Sequence, residues 1–187
     1  CAANGTVELL FANTGTQAAV FHVYDRYKLN RVPRRYAVEA GKTLGDVWNA
    51  QQDNLGMYDL WVLGPNGYHR HFKGDLSRLA DTGVTPEIRV CYDIANGNVY
   101  ADLMNTGKGA CTFTITPLAY RTDGPWQVKL AGTESLHWSL ASSGQWYDLA
   151  VTCDSDKAFY RRFAGRVETG KHSVSDPAMG MAAPTPV

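Results

Sequence analysis

The 187 residues predict an all-β chain made of one antiparallel sandwich written twice, and three observations carry that expectation. First, "ANGTVELLFANTGTQAAVFHV" (Ala3–Val23) aligns without gaps on "ANGNVYADLMNTGKGACTFTI" (Ala95–Ile115), sharing Ala-Asn-Gly, Val, Asn-Thr-Gly, Ala and Phe in register. Further on, "VEAGKTLGDVW" answers "VKLAGTESLHW", and "YDLWVLGPNGYHRHFKG" answers "YDLAVTCDSDKAFYRRFAG". Second, short runs rich in β-branched and aromatic residues alternate with turn-forming pairs. Third, no segment sustains a helical period. Two copies of about 90 residues each suit small immunoglobulin-like antiparallel β-sandwiches.

Copy one, residues 1–80, begins with expected strands over Val7–Phe11, Ala19–Tyr24 and Tyr36–Val38, followed by Tyr58–Leu63 and Tyr68–Phe72. The turn between the last two is Gly64-Pro65-Asn66-Gly67, where asparagine and glycine accept positive φ. "TLGDVWNAQQ" reads as one or two helical turns and "GDLSRLAD" (Gly74–Asp81) as a short linker helix. Copy two, residues 81–174, opens on "TPEIRVCYDI", a strand that forms a hairpin with Asn98–Met104 across Ala-Asn-Gly. Ahead of Ala3 there are only two residues, so copy one is expected to lack this opening strand, and "CAANG" reads as a cut inside a longer protein. Residues 175–187 are expected to be a disordered tail.

Alternation assigns the faces. Ala19, Phe21, Val23, Leu60 and Val62 point inward with Cys111, Phe113, Ile115, Leu149 and Val151, sending Asp59, Trp61, Asp148 and Ala150 outward. Cys111 and Cys153 then lie on inward faces of strands expected in opposing sheets, with Trp126 between them in sequence. A disulfide and two reduced buried thiols both fit this placement. None of the four cysteines forms a C-x-x-C pair.

Composition excludes more than it selects. Lys+Arg and Asp+Glu are equal at 18 each, which leaves no whole-chain basic field for nucleic acid. No apolar run approaches about 18 residues and no signal-peptide core opens the chain, so neither a membrane span nor a self-contained export signal is expected.

"NGTVELLFANTG", "PRRYAVEAGKTLGDVW" and, above all, "YDLWVLGPNGYHRHFKG" resemble the tandem C-terminal domains of bacterial phospholipases C that cleave phosphatidylcholine and sphingomyelin. The resemblance extends to Val174; copy two departs from it in "CDSDKAFYRRFAG", whose loop is two residues longer and lacks Pro-Asn-Gly. It implies a secreted or periplasmic enzyme whose catalysis belongs to a preceding phosphoesterase domain of alkaline-phosphatase-like fold. That domain is the implied partner, with membrane head groups as a second. Nothing here matches the catalytic domain, so no catalytic residue, cofactor or metal is carried over.

The repeat separates fold from function, because a feature in both copies is explained by architecture. Arg70 and Arg161, each between two aromatics on one strand face, are therefore read as structural, together with the Gly64-Pro65-Asn66-Gly67 turn. His69 and His71 face the same way, as a metal pair requires, but spacing places no third ligand and copy two has Tyr160 and Arg162 there. No Gly-x-Ser-x-Gly is present, and the cysteines sit in apolar strands that leave thiols inert.

What does not repeat is "DRYKLNRVPRRYAV". Arg26, Lys28, Arg31, Arg34 and Arg35, with Tyr27, Tyr36 and Trp61, make a candidate surface for head groups or for the catalytic domain; its counterpart "LAYRTDGPWQVKL" is far less basic. A solvated rim is the plain alternative. A carbohydrate- or adhesion-type module stacking sugars on Trp61, Trp48 or Trp146 is the rival binding function.

Overall fold

The computed structural model describes residues 5–78 and 83–180. Thirteen strands and one short helix follow in order: β1 Val7–Ala12, β2 Ala19–Asp25, β3 Arg34–Val38, β4 Thr43–Trp48, α1 Ala50–Asn54, β5 Met57–Leu63, β6 His69–Asp75, β7 Pro86–Asp93, β8 Asn98–Asn105, β9 Cys111–Ala119, β10 Trp126–Leu130, β11 Gly132–Trp138, β12 Trp146–Cys153 and β13 Tyr160–Arg166. Every pairing is antiparallel. The tandem sandwich expected from the sequence is what forms. Among the described residues no helix is long and apolar enough to cross a membrane.

The repeated motifs do the same local work in each copy. Asn13 bonds the carbonyls of Gln17 and Val38 and accepts from the Gly15 amide, while Asn105 bonds those of Gly109 and Leu130 and accepts from the Gly107 amide. One amide side chain thus closes each Asn-Thr-Gly turn and ties it to the next strand. In the Gly64–Gly67 turn, Asn66 and Gly67 sit at φ 54° and 72°, and the Tyr68 amide donates to the Pro65 carbonyl at 3.0 Å. A Cβ on Gly67 would stand 2.7 Å from the Trp146 ring, so this glycine also lets copy two pack against the hairpin.

Two segments differ from expectation. "TLGDVW" is strand β4, paired with β1 from Thr43↔Ala12 to Val7↔Trp48, and helix begins only after Asn49, which accepts from the Gln52 amide. The free backbone edge of β1 overrides the weak helical pattern. The expected linker helix reduces to one 3-10 turn over Leu76–Arg78: Gly74 and Asp75 end strand β6, and residues 79–81 lie outside the described residues. The expected tail is held at its start, where Asp176 accepts from the Tyr120 hydroxyl at 2.7 Å; residues 181–187 lie outside the described residues.

The inward faces are as alternation requires: Val23, Phe113, Ile115 and Val151 are fully buried. Asp59 and Asp148 do point to the opposite face, yet both are buried, because Arg26 and His71 close over the first and Arg162 over the second. Cys111 and Cys153 correct the expected placement. They lie on neighbouring strands β9 and β12 of one sheet, and both are free, buried thiols. Burial, then the neighbouring Cys153, push the Cys111 thiol up to about 12, so it stays protonated and inert.

The sheets join in a way no local signal announces. The larger sheet of each copy meets its counterpart edge to edge, giving one eight-stranded sheet in the order β10-β9-β12-β13-β6-β5-β2-β3. At the seam Arg161 faces Phe72, Arg162 faces His71 and Phe163 faces Arg70. These are equivalent residues in exchanged positions, so an approximate two-fold axis passes between His71 and Arg162, as in an isologous dimer.

The two framework arginines staple this seam reciprocally. Arg70 donates to the carbonyls of His69 and Ala164 and to the Tyr147 hydroxyl; Arg161 donates to those of Tyr160 and Lys73 and to the Tyr58 hydroxyl. Each guanidinium is about 5% exposed or less and lies over rings from both copies: Tyr68 and Phe163 for Arg70, Phe159 and Phe72 for Arg161. Only Arg161 has a carboxylate, Glu87 on β7, at 3.0 Å through both nitrogens.

Candidate functional site

The non-repeating basic stretch forms the β2–β3 connection. Asp25 caps a single 3-10 turn over Arg26–Lys28 by accepting from the Tyr27 amide at 3.0 Å, and the Arg31 amide closes on the Lys28 carbonyl at 3.0 Å. The loop is therefore built by local bonds and carries its tip outward.

Its cations have unequal fates. Arg26 reaches Asp59 at 3.2 Å with its guanidinium 4.5 Å from the Trp61 ring centre. Lys28 bonds the carboxylate and carbonyl of Asp53 at the end of α1, at 3.1 and 3.2 Å. Arg34 bonds Asp46 at 2.8 Å and stacks 3.9 Å over Trp48. Tyr36 is buried and donates its hydroxyl to the same Asp46; burial, then that bond, push its pKa up to about 12. Arg26, Lys28, Arg34, Tyr36 and Trp61 are thus engaged within copy one. The reason is three aspartates, distant along the chain, that the sheet brings beneath the stretch.

What remains outward is a narrower group. Arg31 and Arg35 are exposed, and neither has an ion pair among the described residues. Beside them Val32 is 85%, Leu29 55% and Tyr27 45% exposed. Lys28, by gripping Asp53, ties this tip to the end of α1, where Leu55 stands at φ 55° and 76% exposed. The apolar members were missed by a reading attentive to charge. Their signal was available: Leu29 and Val32 are apolar residues whose counterparts in copy two are Arg121 and Gly124. In copy two the corresponding loop closes on itself, Arg121 bonding Asp123 through two nitrogens and the Ser139 carbonyl at 2.7 Å.

The opposite possibility, a sugar platform, lacks an open ring. Trp48 and Trp61 lie under Arg34 and Arg26, and Trp146 packs on Gly67 with its indole N–H bonded to the Val174 carbonyl at 3.0 Å. His69 and His71 stack with centroids 6.5 Å apart, and His71 Nε2 lies 2.6 Å from Asp59. Their pairing is with the sheet's outer face: Asp59–His71 is the copy-one version of Asp148–Arg162.

His69 gives a pH-dependent expectation. Its Nε2 is buried without a partner among the described residues, and burial, then Arg162 and His71, lower its pKa from 6.5 to about 4. With the folded value below the unfolded one, the unfolded chain binds more protons between the two. Stability present above pH 6.5 is therefore lost as pH falls towards 4. NMR titration of the His69 ring should show a midpoint near 4, and His69→Phe should flatten the stability slope over that window. A midpoint at 6 or above would refute the burial argument.

Comparison with known proteins fits the repeat. The pattern of the family described as "Bacterial phospholipase C, C-terminal domain" matches residues 1–75 and again 86–166. A non-hemolytic phospholipase C of Burkholderia pseudomallei is 40% identical over 180 residues, covering 95% of this chain and 25% of that protein. In Pseudomonas aeruginosa, a non-hemolytic phospholipase C is 40% identical over 94% of this chain and 26% of its own length. A hemolytic phospholipase C of the same organism is 41% identical over 90% and 25%. The chain spans about a quarter of the length of these relatives. A solved bacterial ice-binding adhesin aligns over 89% of this chain at TM-score 0.29, a likeness too slight to bear on the fold. Two family matches placed on the two structural repeats make the conclusion plain: the chain belongs to the bacterial phospholipase C C-terminal domain family.

Proposed function

We propose that this chain is the non-catalytic accessory region of a secreted phospholipase C, and that the β2–β3 loop tip docks the enzyme on the head-group layer of its lipid substrate. The observation that carries the reading is the tip itself: Val32 and Leu29 in solvent beside the unpaired Arg31, in one copy only. Inserting an apolar side chain of this size contributes about 1.5–3 kcal/mol when fully buried. A Lys or Arg near an anionic surface adds about 1 kcal/mol. The association is accordingly reversible and salt-sensitive. The hydrolytic groups belong to the preceding phosphoesterase domain, for which this region acts as a rigid arm.

The test is co-sedimentation with vesicles of phosphatidylcholine and phosphatidylserine at low salt, using Arg31→Gln/Arg35→Gln and Val32→Asp. Both variants should keep the parent melting temperature, since exposed substitutions seldom shift stability by more than about 0.5 kcal/mol. Each should bind vesicles several-fold more weakly. In the full-length enzyme they should lower activity on membranes and leave hydrolysis of a soluble phosphodiester intact. Parent-like behaviour in both assays would reduce the loop to a solvated rim. Unchanged vesicle binding with weakened hydrolysis of the soluble substrate would assign the tip to the catalytic domain instead.

A further inference from the structure

The two copies differ in one structural respect that the repeat makes conspicuous. In copy two the second sheet has three strands, β11-β8-β7, with β8 in the middle. In copy one it has two, and β1, the equivalent of β8, pairs only with β4 among the described residues. Its other edge is open, with Leu10 70% exposed on the outer face and Val7, Leu9 and Phe11 on the inner. An unprotected edge of this kind invites pairing.

Beside that edge lies a cleft of about 520 Å³, bounded by β1 on one side and by Pro86, Glu87 and Ile88 of β7 on the other. Its floor is Tyr58 and Phe72 of the eight-stranded sheet, with Tyr68 and Phe159 from the residues just ahead of β6 and β13. Folded interiors seldom leave voids beyond a water molecule, whose share of liquid volume is about 30 Å³. The cleft is therefore large enough to take a further element against the open edge of β1.

We infer that a β-strand from the polypeptide upstream of Gly5 fills it, pairing antiparallel with β1 as β7 pairs with β8. Three features select this occupant over an unrelated peptide. The backbone just ahead of β1 is shaped like the β7–β8 connection: Gly5 lies at φ 67° and its counterpart Gly97, which joins β7 to β8, at 69°. The seam symmetry is unequal in charge: Arg161 has Glu87 of β7, whereas the partners of the equivalent, buried Arg70 among the described residues are hydroxyls and carbonyls. An acidic residue eight positions ahead of Ala3 would stand to Arg70 as Glu87 stands to Arg161. Finally, the relatives are about four times the length of this chain, so upstream polypeptide is at hand. The strand would fasten the accessory region to whatever precedes it by main-chain bonds, limiting their relative motion. The inference rests on the repeat and the cleft and does not depend on lipid docking.

The experiment compares the 187-residue chain with a form extended upstream by about twelve residues of the parent sequence and with the full-length enzyme. Amide exchange should slow at least tenfold along the open edge of β1 in both longer forms, and the extended form should melt about 5 °C or more higher. Placing aspartate at the inward position seven ahead of Ala3, the counterpart of Ile88, should abolish both gains while leaving exchange in β7–β13 unchanged. Equal exchange along β1 in all three forms would overturn the proposal. So would β1 protection in the short chain that rises with concentration alongside a dimer in sedimentation, since a second copy would then be the occupant.

Discussion

Arg161→Met lowers the melting temperature of this chain by roughly 6–12 °C, and Arg70→Met does so by a similar amount. Each guanidinium is buried and satisfies two carbonyls and a tyrosine hydroxyl drawn from both copies. Removing it strands those acceptors without water. Leaving each buried acceptor unsatisfied costs about 1–3 kcal/mol, so losing one such fork costs about 3–5 kcal/mol. The lower figure applies to Arg161, because the Glu87 carboxylate is 48% exposed and regains water when its partner leaves. At about 2–4 °C per kcal/mol for a chain of this size, the loss reaches the stated range. Lysine does not rescue either position, since one ammonium cannot reproduce a fork aimed at several acceptors. Thermal unfolding followed by circular dichroism checks both variants against Arg31→Gln, which should melt with the parent. A fall below about 2 °C in both would mean that backbone pairing alone holds the seam.

Cutting the chain between the copies has the second large effect: residues 1–80 alone do not fold, while residues 81–174 fold but self-associate. The copy-one core is small, and among the described residues its second sheet holds β1 and β4. Copy two keeps a three-stranded second sheet and the larger cluster around Leu103, Phe113 and Tyr147. Separation also exposes the edges of β6 and β13 and removes the donors that satisfy Tyr58 and Tyr147. Small domains bury too little surface to absorb such losses. Proton NMR of the two halves should show collapsed dispersion for the first and a dispersed, concentration-dependent spectrum for the second. The intact chain should melt in one transition. A well-dispersed, monomeric first half melting near the intact chain would show that the shared sheet is incidental.

These two results concern the part of the molecule that sequence reading could not reach. The staple arginines themselves were recognisable, because both copies carry aromatic-x-Arg-x-aromatic-x-x on an alternating strand, as in Tyr68-His69-Arg70-His71-Phe72. Their partners were not. Arg70 meets Tyr147 and Arg161 meets Tyr58, pairs separated by 77 and 103 residues. The partners of the basic stretch were hidden in the same way. Its charges were plain in sequence, but Asp46, Asp53 and Asp59 reach it from other elements and neutralise three of its five cations. Cys111 and Cys153 were correctly read as inward and wrongly read as lying in opposing sheets, since alternation specifies a face but not a neighbour.

The linear order of residues was sufficient for the repeat, for most strands though not β4, for the Gly64–Gly67 turn, and for the inward positions from Phe21 to Val151. Each of these follows from steric and hydrogen-bonding rules that act within a few residues, so the chain carries them wherever it goes. Three things came from assembly: which strand edges meet, which aspartates sit under which arginines, and which side chains are left in water at the β2–β3 tip. Edge pairing is satisfied by any strand of compatible register, and an ion pair by any carboxylate within reach. The choice among candidates is made by packing all thirteen strands at once, when β6 and β13 come together across 88 to 94 residues.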